Sequence, residues 1–182
     1  AMAILVTHIS AAVGALTWMS VEWIKTGKPT VIGIATGMVA GLATITPASG
    51  TVGPQGALLI GLLAGLVCFY ATQIIKGYFK IDDSLDVFPV HGVGGVLGIL
   101  MLAFVGKANG FLGAGAAGFD ATVFEQFMIQ LQGVVIICLW TLVFSWIALK
   151  ITSFFTELRV SDDSEHEGLD LTEHNESGYH TS

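Results

Sequence analysis

The chain has 182 residues, of which 53% are hydrophobic and only 12% charged. A soluble domain usually carries about 25% charged residues, so composition excludes an ordinary soluble globule. The formal net charge of −7 belongs mainly to one end, because eight of the fourteen acidic residues lie from Glu157 onward. With no basic patch, nucleic acid is excluded as a partner.

The first apolar run begins at once, with Ala1-Met2-Ala3-Ile4-Leu5-Val6, and lacks the basic region of a signal peptide. A chain that opens inside a hydrophobic run is expected to be a piece of something longer. A membrane span needs ~20 mostly apolar residues. Residues 1–24 supply one, uncharged from Ala1 to Val21 and closed by Glu22 and Lys25. Trp18 and Trp23, near its end, are expected as interfacial anchors. His8 is expected as a core histidine partnered by Thr7 and Ser10, with a pathway role as the alternative.

From Pro29 to Ile75 there is no charge. Two prolines and two glycines in Thr46-Pro47-Ala48-Ser49-Gly50-Thr51-Val52-Gly53-Pro54 break this stretch into spans over 31–45 and 55–75. Thr51-Val52-Gly53 is only a weak match to a carbonyl ion filter, since no pore-helix arrangement accompanies it. The fourth span covers 87–105 and the fifth 121–156. About thirty-five helical residues would reach ~52 Å, beyond a ~30 Å hydrocarbon core, so the fifth must tilt or project.

The predicted fold is an all-α membrane protein, a polytopic bundle of five helices over residues 1–156, followed by an acidic tail over 157–182. Alternation of five spans places Lys25, Lys28, Lys76, Lys80, Lys150 and Arg159 on one side and Lys107 on the other. The basic side is read as cytoplasmic, which puts the C-terminal tail there too.

Glycine recurs every fourth residue at Gly33, Gly37 and Gly41, at Gly61 and Gly65, and at Gly94 and Gly98. Such rows let membrane helices pack closely. The fifth span has one glycine, Gly133, amid bulky residues, and is expected to face lipid or another subunit. Cys68 and Cys138 are isolated in apolar runs and are expected as buried thiols. No nucleophile–base pair and no metal cluster appears, so neither an enzyme nor a cofactor is indicated.

His91 is the candidate of most interest. It sits in Phe88-Pro89-Val90-His91-Gly92-Val93-Gly94-Gly95, within a stretch free of Asp, Glu, Lys and Arg between Asp86 and Lys107. An ionisable group in such a span usually faces a bundle interior or a pathway. A neutral imidazole, with one donor and one acceptor nitrogen, can hold a small polar solute or pass a proton. Just before it, Asp82, Asp83 and Asp86 suit a helix N-terminus, with Asp86 as the expected N-cap; a cation-attracting inner mouth is the alternative. The tail from Val160 to Ser182 is expected to be disordered alone. Its Gly168–Thr172 segment could order against a basic face, with Thr172 as a phosphorylation switch.

Taken together, Gly27-Lys28-Pro29, Gly41-Leu42-Ala43 through Thr46-Pro47-Ala48, Asp82-Asp83 through Asp86-Val87-Phe88, His91-Gly92-Val93-Gly94-Gly95 and Glu167-Gly168-Leu169-Asp170 resemble, in order, the ammonium transporter (Amt/Rh) family. The likeness covers nearly the whole chain and corresponds to the last five of eleven spans plus the tail. It implies a homotrimer in the cell membrane with one narrow hydrophobic pore per subunit, which ammonium crosses after losing its proton at a paired-histidine motif.

His91 matches the second histidine of that pair, Val39 and Val87 match pore-lining positions, and Thr46 lies near the outer recruitment site. The tail segment with Gly168 and Asp170 resembles one that packs on a neighbouring subunit, and Thr172 matches a regulatory threonine of plant members. PII signalling proteins would dock on the same face. The first histidine of the pair and the gating phenylalanines belong to earlier spans that this sequence lacks, and Pro89 replaces a glycine of the bacterial pattern. An ammonium sensor presenting its tail to a PII-type partner is the alternative to a transporter.

Overall fold

The computed structural model describes residues 1–106 and 122–177. Lys107, the basic residue expected on the opposite side, and residue 121, where the fifth span was expected to start, lie outside them, as do residues 178–182. Every regular element among the described residues is helical. The chain divides into two compact units, Ala1–Val135 and Ile136–Ser182.

In the first unit α1 spans Met2–Thr26 and α2 spans Val31–Ile45. α3 spans Pro54–Thr72 and runs on into a π-helical turn, Gln73–Tyr78. A second π-helical turn, Phe88–Val93, leads into α4, Gly94–Val105. α5, Val123–Phe155, begins in this unit and continues into the other. Among the described residues, four segments are long and apolar enough to cross a membrane: Met2–Thr26, Pro54–Tyr78, Phe88–Val105 and Val123–Phe155. α2, with 15 residues, covers ~22 Å at ~1.5 Å per residue and does not reach that length by itself.

The connections explain the element ends. α1 stops at Gly27, whose φ of 81° suits a residue without a side chain and whose N–H donates to the Trp23 carbonyl at 2.9 Å. Glu22 then reaches forward. Its carboxylate accepts from the Thr30 N–H at 3.0 Å and the Thr30 hydroxyl at 2.9 Å, while Thr30 Oγ1 accepts from the Gly33 N–H at 2.9 Å and caps α2. Thr51-Val52-Gly53 leads into α3, with Gly53 as its N-cap and Pro54 in its first turn.

The glycine rows face inward as their spacing predicts. A Cβ on Gly41 would collide with the Ser10 carbonyl. One on Gly61 would stand 2.7 Å from the same oxygen, and one on Gly65 2.9 Å from the Gly14 carbonyl. Three helices therefore meet backbone to backbone around Ser10 and Gly14 of α1, where the Ser10 hydroxyl donates to the Gly41 carbonyl at 2.9 Å. α4 joins through Gly98, whose Cβ would strike the Thr44 carbonyl, and Gly94, against Thr44 Oγ1 and Cys68 Sγ.

Two apolar clusters flank this seam. Val6, Ile45, Ala57, Ile60 and Val105 fill one end, where α1 and α3 begin and α2 and α4 finish. Trp18, Ala40, Cys68, Phe69 and Val90 fill the other. Trp18 thus departs from the interfacial role expected of it. It is 4% exposed and sits edge-on to Phe69, with ring centroids 5.3 Å apart, because the small α2 face at Gly37 leaves room for an indole. Trp23 is exposed. Cys68 is buried as expected, whereas Cys138 is exposed on α5, which buries none of its residues in the span-length window.

In the second unit, α5 is followed by two short helices, α6 (Asp162–Glu167) and α7 (Leu169–Thr172). This differs from the disordered tail expected from composition. Ser161 Oγ caps α6 by accepting from the Ser164 N–H, and Asp162, Asp163 and Glu165 place negative charge in its first turn, where the helix dipole favours it. Arg159 pairs with Glu165 at 2.8 Å.

Candidate functional site

The second π-helical turn carries the site. A π turn widens the helix and is found mostly as a single-turn bulge at functional positions. Pro89 is tolerated here because the first helical turn needs no intrahelical N–H at that point, and its ring is buried with Val90 against the bundle. That burial turns the other side outward. His91 and Val87 are exposed, and a Cβ on Gly95 would meet nothing within 4 Å. Val87, His91 and Gly95, four residues apart, line one open strip along the helix. The Phe88 ring lies over Gly92, 3.0 Å from where a Cβ would stand. No hydrogen bond reaches the His91 ring among the described residues.

Asp83, not Asp86, caps this segment. The Asp83 carboxylate accepts from the Val87 N–H at 2.9 Å and the Phe88 N–H at 2.8 Å. The expectation that Asp86 is the N-cap is corrected for a conformational reason. Asp86 has φ 55°, in the left-handed region that Asp tolerates better than most side chains, and this turns its carboxylate away from the helix amides. It faces Lys76 instead, with Nζ 3.1 Å from Oδ1. Nothing in the chain spacing singled out Lys76, which lies ten positions earlier across a loop. Asp83 was within the acidic group read from the sequence, but its bonds reach amides four and five residues on, farther than the usual cap spacing, so sequence carried no signal for it.

Val39, half-buried on α2, packs against the apolar cluster of which Val90 is a member. Thr46 is not brought to that turn. It ends α2, exposed, with its hydroxyl donating to the Leu42 carbonyl at 2.7 Å. Thr44, two residues earlier, touches Gly98, which is seven residues or ~10 Å beyond His91 along its helix. The sequence therefore spreads these candidates over two levels of the bundle.

His8 is corrected as well. It is exposed, not a satisfied core residue, and with Thr7, Ala11, Met38 and Leu42 it lines a groove of about 470 Å³. Its expected partner Ser10 is spent on the Gly41 carbonyl. In the tail, Gly168 has φ 110° and separates α6 from α7; Thr172 is exposed and its hydroxyl donates to the Gly168 carbonyl at 3.1 Å. The Asp170 carbonyl accepts from the Glu176 N–H at 2.8 Å. Among the described residues, no three His, Cys, Asp or Glu side chains converge as a metal site would require.

Chemically, the arrangement is an imidazole on an apolar, membrane-length helix, backed by valines and fixed at its base by two carboxylates and a lysine. It offers ring nitrogens that can hydrogen-bond a small polar solute. Comparison with known proteins bears on what such a face is for. Residues 1–179 match the model of the Ammonium Transporter Family. An ammonium transporter of Bacillus subtilis is 38% identical over 179 residues, which are 97% of this chain and 43% of that protein. The crystal structure of Saccharomyces cerevisiae Mep2 superposes with a TM-score of 0.73 at 33% identity, covering 84% of this chain and 37% of that one. A solved Sensor Amt Protein gives 0.83 at 28% identity, covering 94% and 41%. The chain thus spans about two fifths of the length of the proteins it resembles.

Proposed function

This chain belongs to the ammonium transporter family, and on that footing we propose that it forms the C-terminal part of an ammonium pathway in which His91 is one of two pore histidines. The reading rests on one observation above all: an imidazole exposed on a strip of Val87, His91 and Gly95 within a membrane-length helix. The domain boundaries proposed with it are a membrane bundle over 1–156 and a tail over 157–182.

Dehydrating a cation in an apolar passage is very costly. Ammonium escapes that cost by leaving its proton behind, and ammonia then accepts and donates hydrogen bonds to neutral imidazoles in turn. Potassium has no proton to surrender and is excluded. Val39 and Val87 keep the wall apolar, and Thr46, at the far end of α2, offers a hydroxyl and carbonyl near the point of arrival. In this reading the loop before His91 and the tail are cytoplasmic, which the bias of basic residues supports. There the Gly168–Thr172 segment would contact a neighbouring subunit of a homotrimer, and a PII-type protein would share the same face.

Replacing His91 by Ala in the full-length protein is expected to lower methylammonium uptake by about tenfold, the scale of one lost hydrogen bond, or to weaken selection against potassium. Unchanged uptake and unchanged selectivity, with equal protein in the membrane, would remove the pathway role. A second reading, an ammonium sensor, is favoured by the likeness to a solved Sensor Amt Protein and by a tail that holds helical form. In that case, deleting residues 161–182 abolishes signalling and leaves uptake intact.

A further inference from the structure

π-helical residues make up well under 1% of globular proteins, yet two six-residue π turns stand at the same end of this bundle, Gln73–Tyr78 closing α3 and Phe88–Val93 opening α4. An ion pair connects them. Lys76, inside the first turn, lies 3.1 Å from Asp86, which sits just before the second. Asp86 is the less exposed partner, with 16% of its side chain accessible against 41% for Lys76. Its Oδ1 is buried and forms no conventional hydrogen bond, so the lysine charge is what faces it. Asp86 also holds a left-handed backbone, φ 55°, a conformation that costs energy and persists only where its surroundings hold it.

Two ties therefore set the backbone entering the His91 turn: Asp83 on the Val87 and Phe88 amides, and Lys76 on Asp86. The His91 ring has no hydrogen-bond partner of its own among the described residues, so no polar contact fixes its direction and the backbone that carries it, with the buried Pro89 and Val90, does. A wide turn released from its ties relaxes toward the α-helix, and a one-residue change in register swings a side chain by ~100° about the axis. We propose that the Lys76–Asp86 pair is a latch between the two π turns that holds His91 aimed along the pathway, making both positioning residues for transport. This rests on His91 being a pathway group.

The test uses the full-length protein in vesicles, with labelled methylammonium uptake and its inhibition by potassium measured per folded molecule. Asp86→Asn keeps the shape and the tolerance for a left-handed backbone but removes the charge; Lys76→Met removes the other charge from an accessible position. Each is expected to lower uptake about tenfold, as loosening a supporting contact does at other functional sites. The double variant is expected to be no worse than either alone, Lys76→Arg to retain most uptake, and Asp86→Asn to add nothing to His91→Ala. A drop explained wholly by less folded protein, with uptake and potassium discrimination per molecule unchanged in both single variants, overturns the latch while leaving His91 in place. If His91→Ala itself is silent, the pathway reading falls and takes the latch with it.

Discussion

Where α1, α2 and α3 cross, small residues recur every four positions and main chains touch. Along α5 there is a single glycine in 33 residues, and a Cβ added to it would meet nothing within 4 Å. Both regions are apolar enough to enter a bilayer, so hydrophobicity does not separate them. Size periodicity does. Lipid tails are as apolar as leucine, which leaves van der Waals fit and interhelical hydrogen bonds to drive association. The glycine seam gains both, with the Ser10 hydroxyl as its bond, while α5 presents a bulky surface with Trp140 stacked on Phe144 at 4.0 Å.

That contrast can be broken by substitution. The largest effect is expected at Gly98→Ala and Gly41→Ala, where the new Cβ meets backbone rather than a movable side chain. Each should cost about 2–3 kcal/mol, read as a lowered midpoint of thermal unfolding in detergent. Ser10→Ala should cost about 0.6–1 kcal/mol, the usual worth of an interhelical hydrogen bond in a membrane, and should leave the helical circular dichroism unchanged. Gly133→Ala should show the smallest effect and the opposite sign, a gain of about 0.5 kcal/mol from helix propensity alone. If Gly133→Ala proved as harmful as Gly98→Ala, the distinction between a packed row and a solitary glycine would not stand.

Much of this was legible beforehand because it depends on runs and spacings. The bounds of α2, Val31–Ile45, match those read from the charge-free stretch and its proline–glycine break, and the four-residue glycine rows indicated which faces meet. What depends on a single φ or on long-range charge was hidden. Asp83 and Asp86 are equivalent by residue type, and only the left-handed backbone at Asp86 decides which one caps. The π turns leave no mark in composition. Trp18 reads as an interfacial residue until the α2 surface at Gly37 gives it a pocket. His8 had plausible local partners, but its neighbour's hydroxyl went across the seam instead. His91 stood out because it is the one ionisable ring in its charge-free span.

The brevity of α2 has a consequence for the turns that follow it. Fifteen helical residues fall ~8 Å short of a ~30 Å hydrocarbon layer. Beyond Ile45 the chain continues as turns, in which the Ala48 N–H bonds the Ile45 carbonyl at 2.9 Å and the Val52 N–H the Ala48 carbonyl at 3.1 Å, with Ala48 and Val52 fully enclosed. Irregular backbone at such a level is tolerated only where protein or a water-filled recess surrounds it. Here protein supplies that enclosure, because Ala48 and Val52 belong to the apolar cluster at this end of the bundle.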